Sequence, residues 1–313
     1  MRSTDDKAGP RGAHQQALAR IIENRLSATG DYETAIPHLR FFRRDEAAPP
    51  TVCMVEPCIV FVAQGAKRLW VGGEGYLYDS SRLLVTSLDL PGGSEVLTAS
   101  AAQPCVGLML KLDMRALAEL IAQGGLPALD GAAAGAGAGA GIGIGAATDD
   151  ILAPLERLLA LLDDPAAIPV IAPLIQREIY YRLLRGDQAA RLRRITAVDS
   201  QGHRITKAID WLKSNFTQSL RVEELAARVQ MSATTFHQHF RQLTAMSPLQ
   251  YQKWLRLNEA KRLMLSEHLD AASAAYKVGY ESPSQFSREY SRLYGVSPKR
   301  DIMEMRGRAA EGI

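Results

Sequence analysis

The sequence predicts an α+β protein in two parts. The N-terminal part is a small antiparallel β-barrel with flanking helices, and the C-terminal part is an all-α domain with two helix-turn-helix motifs joined by a long helix. Three observations predict this. Short apolar segments separated by Gly-containing turns fill residues 36–112. One helix–turn–helix pattern occurs over Leu220–Arg241 and again from Asp270. Charge is partitioned: residues 203–308 hold 17 Lys+Arg against 10 Asp+Glu, a net +7, and the rest holds 20 against 24, a net −4. A basic third on an acidic remainder points to a polyanion as the ligand of the former.

The elements follow in chain order. A length of 313 residues suits two domains. Residues 1–16 are polar, with Asp5, Asp6, Pro10 and Gly12, and are expected to be disordered. They lack the apolar stretch of a signal peptide, and no run of 18 apolar residues occurs, so the expectation is a cytoplasmic protein with no membrane partner. The first domain is expected over 17–185. Ala17–Leu26 forms a short helix with Leu18, Ile21, Ile22 and Leu26 on one face. Strands are expected at Cys58–Val62, at Arg68–Val71 and Tyr76–Tyr78 around the turn Gly72-Gly73-Glu74-Gly75, and at Leu83–Thr86, Glu95–Ala99 and Val106–Leu112. Met114–Ile121 reads as a helix. Residues 131–147, GAAAGAGAGAGIGIGAA, are too rich in Gly to pack a core and read as a flexible tract. Ile151–Leu162 is amphipathic through Leu152, Leu155, Leu158, Leu159 and Leu162, and its simplest role is to cover its own barrel. Homodimerisation through this N-terminal half is the alternative. A further helix runs from Pro173 to Leu184, and the polar residues 186–202 read as a linker.

The domain over 203–306 carries the repeated pattern. In the first copy Leu225, Ala226 and Val229 share a face, Met231 plugs the turn, and Ser232 caps the second helix. Phe236 and Phe240 face inward at spacing four. In the second copy a small-residue helix, Ala271–Val278, precedes Gly279, whose positive φ makes the turn. Ser282 caps the next helix, Pro283 sits in its first turn, Phe286, Tyr290 and Tyr294 face inward, and Gly295 ends it. A helix over Leu249–Ser266 joins the copies. Its rise of roughly 27 Å approaches the ~34 Å between successive major grooves on one face of DNA.

These residues resemble the AraC family of bacterial transcription regulators over Ile205 to about Arg300. The segment Val278-Gly279-Tyr280-Glu281-Ser282-Pro283-Ser284-Gln285-Phe286-Ser287-Arg288-Glu289-Tyr290, followed by Tyr294-Gly295-Val296-Ser297-Pro298, is similar to the family signature around its second motif. Ser247-Pro248, Tyr251, Arg256-Leu257 and Ala260 match the stretch after the first. Two departures stand out. The family usually has Gly where this chain has Ala245, which implies a different helix end. His237-Gln238-His239 replaces a usual basic residue, so base preference does not carry over. Residues 56–67, EPCIVFVAQGAK, resemble the cupin-like sensor domain attached to part of the family, whose barrel binds a small effector or mediates association.

Outward residues of the second helices are the candidate DNA-reading groups. Gln pairs bidentately with adenine and Arg with guanine. The candidates for base contacts are Thr234, His237, Gln238, Ser284, Gln285 and Arg288, and for phosphate contacts Arg241, Lys253, Lys299 and Arg300. The expected function is sequence-specific DNA binding that regulates transcription in response to an effector in the barrel, with RNA polymerase as a partner if the protein activates. The alternative is a small-molecule-binding or catalytic cupin with a non-specific DNA anchor. Between residues 36 and 112 the one histidine is His38, and no H-x-H pair occurs there, so a metal enzyme is not expected and no cofactor is called for. Three cysteines, Cys53, Cys58 and Cys105, argue against a disulfide framework and are candidate sensing thiols. No Lys, Arg or His flanks them to lower a thiol pKa.

Overall fold

A computed structural model of the chain describes residues 12–127, 141–197 and 200–311. It forms two compact units, Met1–His203 and Arg204–Ile313.

The first unit opens with α1 (Ala13–Glu23), four residues ahead of the expected start, so residues 13–16 are helical. The disorder expected of residues 1–11 falls outside the described residues. Nine strands follow: β1 (Gly30–Glu33), β2 (Leu39–Arg44), β3 (Ala48–Val55), β4 (Cys58–Gln64), β5 (Ala66–Val71), β6 (Glu74–Asp79), β7 (Arg82–Thr86), β8 (Leu90–Thr98) and β9 (Cys105–Lys111). Then come α2 (Met114–Ala122), β10 (Ile142–Ala146), α3 (Asp149–Ala160), α4 (Ile168–Leu183) and α5 (Ala189–Thr196). The strands pair antiparallel in the order β1-β2-β9-β4-β7-β6-β5-β8-β3, with β10 on β7. The β5–β6 hairpin turns on Gly72 and Gly73, both at positive φ, as a two-residue hairpin loop requires.

One face of this sheet is sealed by helices. Ile59, Phe61 and Ala63 of β4 join Leu18 and Ile22 of α1 and Leu155, Leu158 and Leu159 of α3 in one core. Burying each large side chain stabilises by about 1.5–3 kcal/mol. The leucine stripe of α3 therefore packs within its own unit. The opposite face is rolled around a cavity, so Val60 points inward and β4 is buried on both sides. That explains why β4 reads as a continuous apolar run instead of an alternating one.

Two expectations need correction. Residues 142–146 of the Gly/Ala tract are not a flexible tract but form β10, in register with β7 from Ile142↔Thr86 to Ala146↔Arg82. The glycines there make room for side chains of α5 and of the segment before it, which lie close on the strand. A Cβ at Gly143 would overlap the Arg191 guanidinium, and one at Gly145 would come within 2.9 Å of Asp187 Oδ1. Asp187 Oδ2 accepts from the Ala146 N–H (2.9 Å), and Gln188 Nε2 donates to the Ile144 carbonyl (2.8 Å). Residues 128–140 of the region fall outside the described residues. Nor are 186–202 simply a linker: α5 buries Leu192 and Ile195, and Arg191, Arg193 and Arg194 conceal that apolar stripe in the sequence.

The second unit comprises α6 (Gln201–Asn215), α7 (Val222–Arg228), α8 (Ala233–Thr244), α9 (Pro248–Ser266), α10 (Ala271–Lys277), α11 (Pro283–Tyr294) and α12 (Pro298–Glu311). The long helix α9 serves both motifs. Its Tyr251 meets Phe240 edge-on at 5.6 Å, and its Leu257, Ala260, Leu263 and Met264 share a core with Ala274, Tyr280, Phe286 and Tyr290.

Candidate nucleic-acid interface

The second helix of each motif is built from the same parts. Ser232 caps α8 by accepting the Thr235 N–H (3.2 Å), and Ser282 caps α11 by accepting the Gln285 N–H (3.3 Å). Each cap satisfies one otherwise orphaned backbone donor, worth roughly 1 kcal/mol. Phe236 and Phe240 on α8, and Phe286 and Tyr290 on α11, are fully buried anchors. That leaves Thr234, His237, Gln238 and Arg241 exposed on α8, and Ser284, Gln285 and Arg288 exposed on α11. Lys299 and Arg300 are exposed in the first turn of α12.

Helix α8 closes as α11 does, despite Ala245. Ala245 takes the left-handed conformation (φ 59°, ψ 12°) that Gly295 takes at the end of α11. The different closure implied by the family comparison therefore does not occur, and the alanine carries the strain. An L-residue in this region costs on the order of 1 kcal/mol. Ala245→Gly is expected to raise stability by about 0.5–1 kcal/mol after the added freedom of the unfolded chain is offset. A urea-unfolding midpoint unchanged or lowered in this variant would contradict the strain.

The candidate contacts divide by whether the protein already occupies them. Arg241, Arg288 and Lys299 make no ion pair or hydrogen bond among the described residues, so their charges are available to a ligand. Lys253 is held by Glu289 (Nζ–Oε1 2.8 Å), Gln285 Nε2 donates to the same oxygen (3.2 Å), and Arg300 pairs with Glu304 (2.8 Å). Tyr280 donates to the other Glu289 oxygen (2.8 Å). Burial alone would raise the Glu289 carboxyl, but the hydrogen bonds from Lys253, Tyr280 and Gln285 outweigh it and hold it low.

Sequence reasoning did not single out the part played by Arg256. From α9 its guanidinium donates to the carbonyls of Phe216 (2.6 Å), Thr217 (3.1 Å), Gln218 (2.9 Å) and Gly279 (2.8 Å). It ties the chain after α6 to the turn of the second motif. Gly279 sits at φ +90°, and a Cβ there would overlap the Thr217 carbonyl. The signal in the sequence is an arginine on the face of α9 that otherwise carries core residues.

The barrel of the first unit holds a second candidate site. Each of β1–β9 contributes to the lining of a cavity of about 280 Å³, at the lower end of small-molecule pockets. Its apolar walls include Phe42, Val60, Leu69 and Met109, and its polar lining includes Lys67, Cys53 and Tyr78. Lys67 occupies an inward position of β5, beside Leu69 and Val71, and is 8% exposed. The strand alternation of β5 carried that signal, but the predicted strand began one residue too late, at Arg68. Among the described residues no group of three or more His, Cys, Asp or Glu could hold a metal.

Cysteine environments differ from those of reactive thiols. Cys58 and Cys105 are fully buried, and burial pushes their thiols up to about 12 and about 11. Burial also raises Cys53, which borders the cavity. Thiolate, the reactive form, is therefore scarce at neutral pH. Native protein at pH 8 is expected to leave Cys58 and Cys105 unalkylated by iodoacetamide over an hour, with both labelled after denaturation. Prompt labelling of either in the native protein would refute this.

Family comparisons fit this arrangement. A model described as AraC-type transcriptional regulator N-terminus matches residues 35–191, and a helix-turn-helix domain model matches 225–301. The chain belongs to the AraC family. Among relatives of this AraC-family chain, HTH-type transcriptional regulator ArgR of Pseudomonas aeruginosa is 26% identical over 159 residues, 51% of this chain and 48% of ArgR. HTH-type transcriptional activator RhaS of Yersinia pestis is 29% identical over 103 residues, 33% of this chain and 38% of RhaS. The matched stretch thus spans half or less of either relative. The fold is also that of ToxT from Vibrio cholerae O395, at a TM-score of 0.54 and 12% identity over 85% of this chain and 97% of ToxT. No helix among the described residues is long and apolar enough to cross a membrane.

Proposed function

We propose that this AraC-family chain is a sequence-specific DNA-binding regulator of transcription whose barrel cavity holds a small effector. The observation that carries the reading is the matched pair of capped helices, α8 and α11, fixed to one rigid α9 and presenting exposed Thr, His, Gln, Ser and Arg side chains. Helix α9 rises about 28 Å at 1.5 Å per residue, close to the groove repeat. Base reading is assigned to Thr234, His237, Gln238, Ser284, Gln285 and Arg288. Of these, Gln285 must give up Glu289 to reach a base. Phosphate contacts are assigned to Arg241 and Lys299, with Lys253 and Arg300 weaker because each is paired to a carboxylate. A cavity in the family's sensor domain supports the effector role, as does the small organic acid bound to ToxT, which shares the fold. RNA polymerase is the further partner if the protein activates. Val170 and Leu174 of α4, both exposed apolar residues, favour that helix as the contact in a homodimer.

The deciding experiment is binding of the full chain to DNA from upstream of its own gene and of neighbouring genes, against scrambled DNA, at two salt concentrations. Preference for one fragment by about 10³-fold or more supports the reading. Equal, salt-sensitive binding to every fragment supports the non-specific anchor instead.

A further inference from the structure

Lys67 is a largely buried cation on the cavity wall. It is 8% exposed, faces the cavity, and makes neither a hydrogen bond nor an ion pair among the described residues. Its nearest partner is the Phe42 ring, 4.4 Å below the nitrogen. A buried charge without a counter-ion is costly. The neighbouring cation does not relieve it: Arg44 spends its guanidinium on Asp31 (2.7 Å) and on the carbonyls of Gly30 (2.7 Å) and Arg43 (2.8 Å). Burial first, and Arg44 second, push the Lys67 ammonium toward its neutral form.

A pocket meant for a carboxylate would aim charged donors inward in a pair or fork. Here Arg40 and Arg44 also border the cavity, but each already holds a carboxylate, Glu33 and Asp31, so Lys67 is the one cation of the lining with no acidic partner among the described residues. A desolvated lysine beside fixed cations is instead the arrangement that makes its amine nucleophilic toward carbonyls.

We propose that the effector of this barrel is a small aldehyde or ketone with an apolar tail, captured reversibly as an imine on Lys67 Nζ. The inference rests on the effector-cavity reading above and adds the ligand's chemistry to it. The Nζ lone pair forms the N–C bond, the carbonyl oxygen leaves as water with the two amine hydrogens, and a C=N bond remains. No electrons are gained or lost, so no oxidant or reductant takes part, and hydrolysis restores the free amine when the carbonyl compound is withdrawn. Apolar walls accept the tail, and the cavity volume of about 280 Å³ limits its size.

The test uses the full chain without DNA. Hexanal at a stoichiometric amount is added at pH 7 with cyanoborohydride, and the time course is followed by peptide mapping of the nine lysines. An ordinary lysine is neutral in only about one part in 10³ at this pH, so Lys67 is expected to be alkylated at least about 10-fold ahead of the others. Lys67→Met, which extends the apolar pattern of its strand, should lose that leading adduct and keep its melting temperature. The wild-type map decides the matter even if this variant fails to fold. Uniform labelling of all lysines overturns the proposal. So does protection of Lys67 by hexanoate with no trapped adduct from hexanal, which would mark a carboxylate site. Because no DNA is present, failure of the DNA-binding reading leaves this result untouched. Conversely, a protein that binds its operator but traps no aldehyde loses only the carbonyl assignment.

Discussion

Gly279→Ala is expected to destabilise the C-terminal unit by about 3 kcal/mol or more. Two costs combine. The residue sits at φ +90°, where an L side chain costs roughly 1–3 kcal/mol. The new Cβ also overlaps the Thr217 carbonyl, which is backbone and cannot rotate away. That carbonyl is one of the four held by Arg256, so relief by movement loosens the clamp between α9 and the second motif. Against a typical domain stability of about 5–15 kcal/mol, the loss is a large fraction. Urea unfolding of the full chain followed by tryptophan fluorescence reads it, because Trp211 and Trp254 lie in this unit and Trp70 in the other. A transition for the C-terminal unit within about 0.5 kcal/mol of wild type would show that the turn tolerates a side chain, contrary to this geometry.

Arg288→Ala is expected to weaken binding to the specific operator by about 5- to 150-fold, or 1–3 kcal/mol, and to relax discrimination against scrambled DNA. The prediction follows from the proposed base-reading role of α11. Arg288 is exposed and unpaired within the protein, so its removal leaves stability nearly unchanged and the effect is on the ligand. Lys299→Ala is the control. As a phosphate contact it should weaken specific and scrambled DNA alike and reduce the salt slope by about one. If Arg288→Ala instead lowered both affinities equally, Arg288 would be a phosphate contact and the base-reading face of α11 would have to be reassigned.

Much of the DNA-facing half was legible in the sequence because its signals are local. Caps at Ser232 and Ser282, the inward pairs Phe236/Phe240 and Phe286/Tyr290, and the turn at Gly279 all act within one or two helical turns. Spacing along the chain therefore identifies which side chains are left exposed. In the barrel half β4 to β9 were legible as strands, but β1 to β3 and β10 were not placed, nor was the pairing order, since strand partners such as β2 and β9 are set by distant segments.

What the sequence by itself determined, then, is the class of each half and the identity of the exposed residues on α8 and α11. The tertiary structure alone decided three things. It turned the end of the Gly/Ala tract into β10, paired with β7 and held by Asp187 and Gln188, which precede α5 and lie more than 40 residues along the chain. It committed Lys253 and Gln285 to Glu289, and Arg256 to four carbonyls, contacts that require the motifs to be folded on one another. It also placed Lys67 on the cavity wall, over the Phe42 ring and with no acidic partner among the described residues. The physical reason is common to all three: hydrogen-bond and charge satisfaction depend on which distant atoms share a small volume, and helical or strand periodicity carries no information about that.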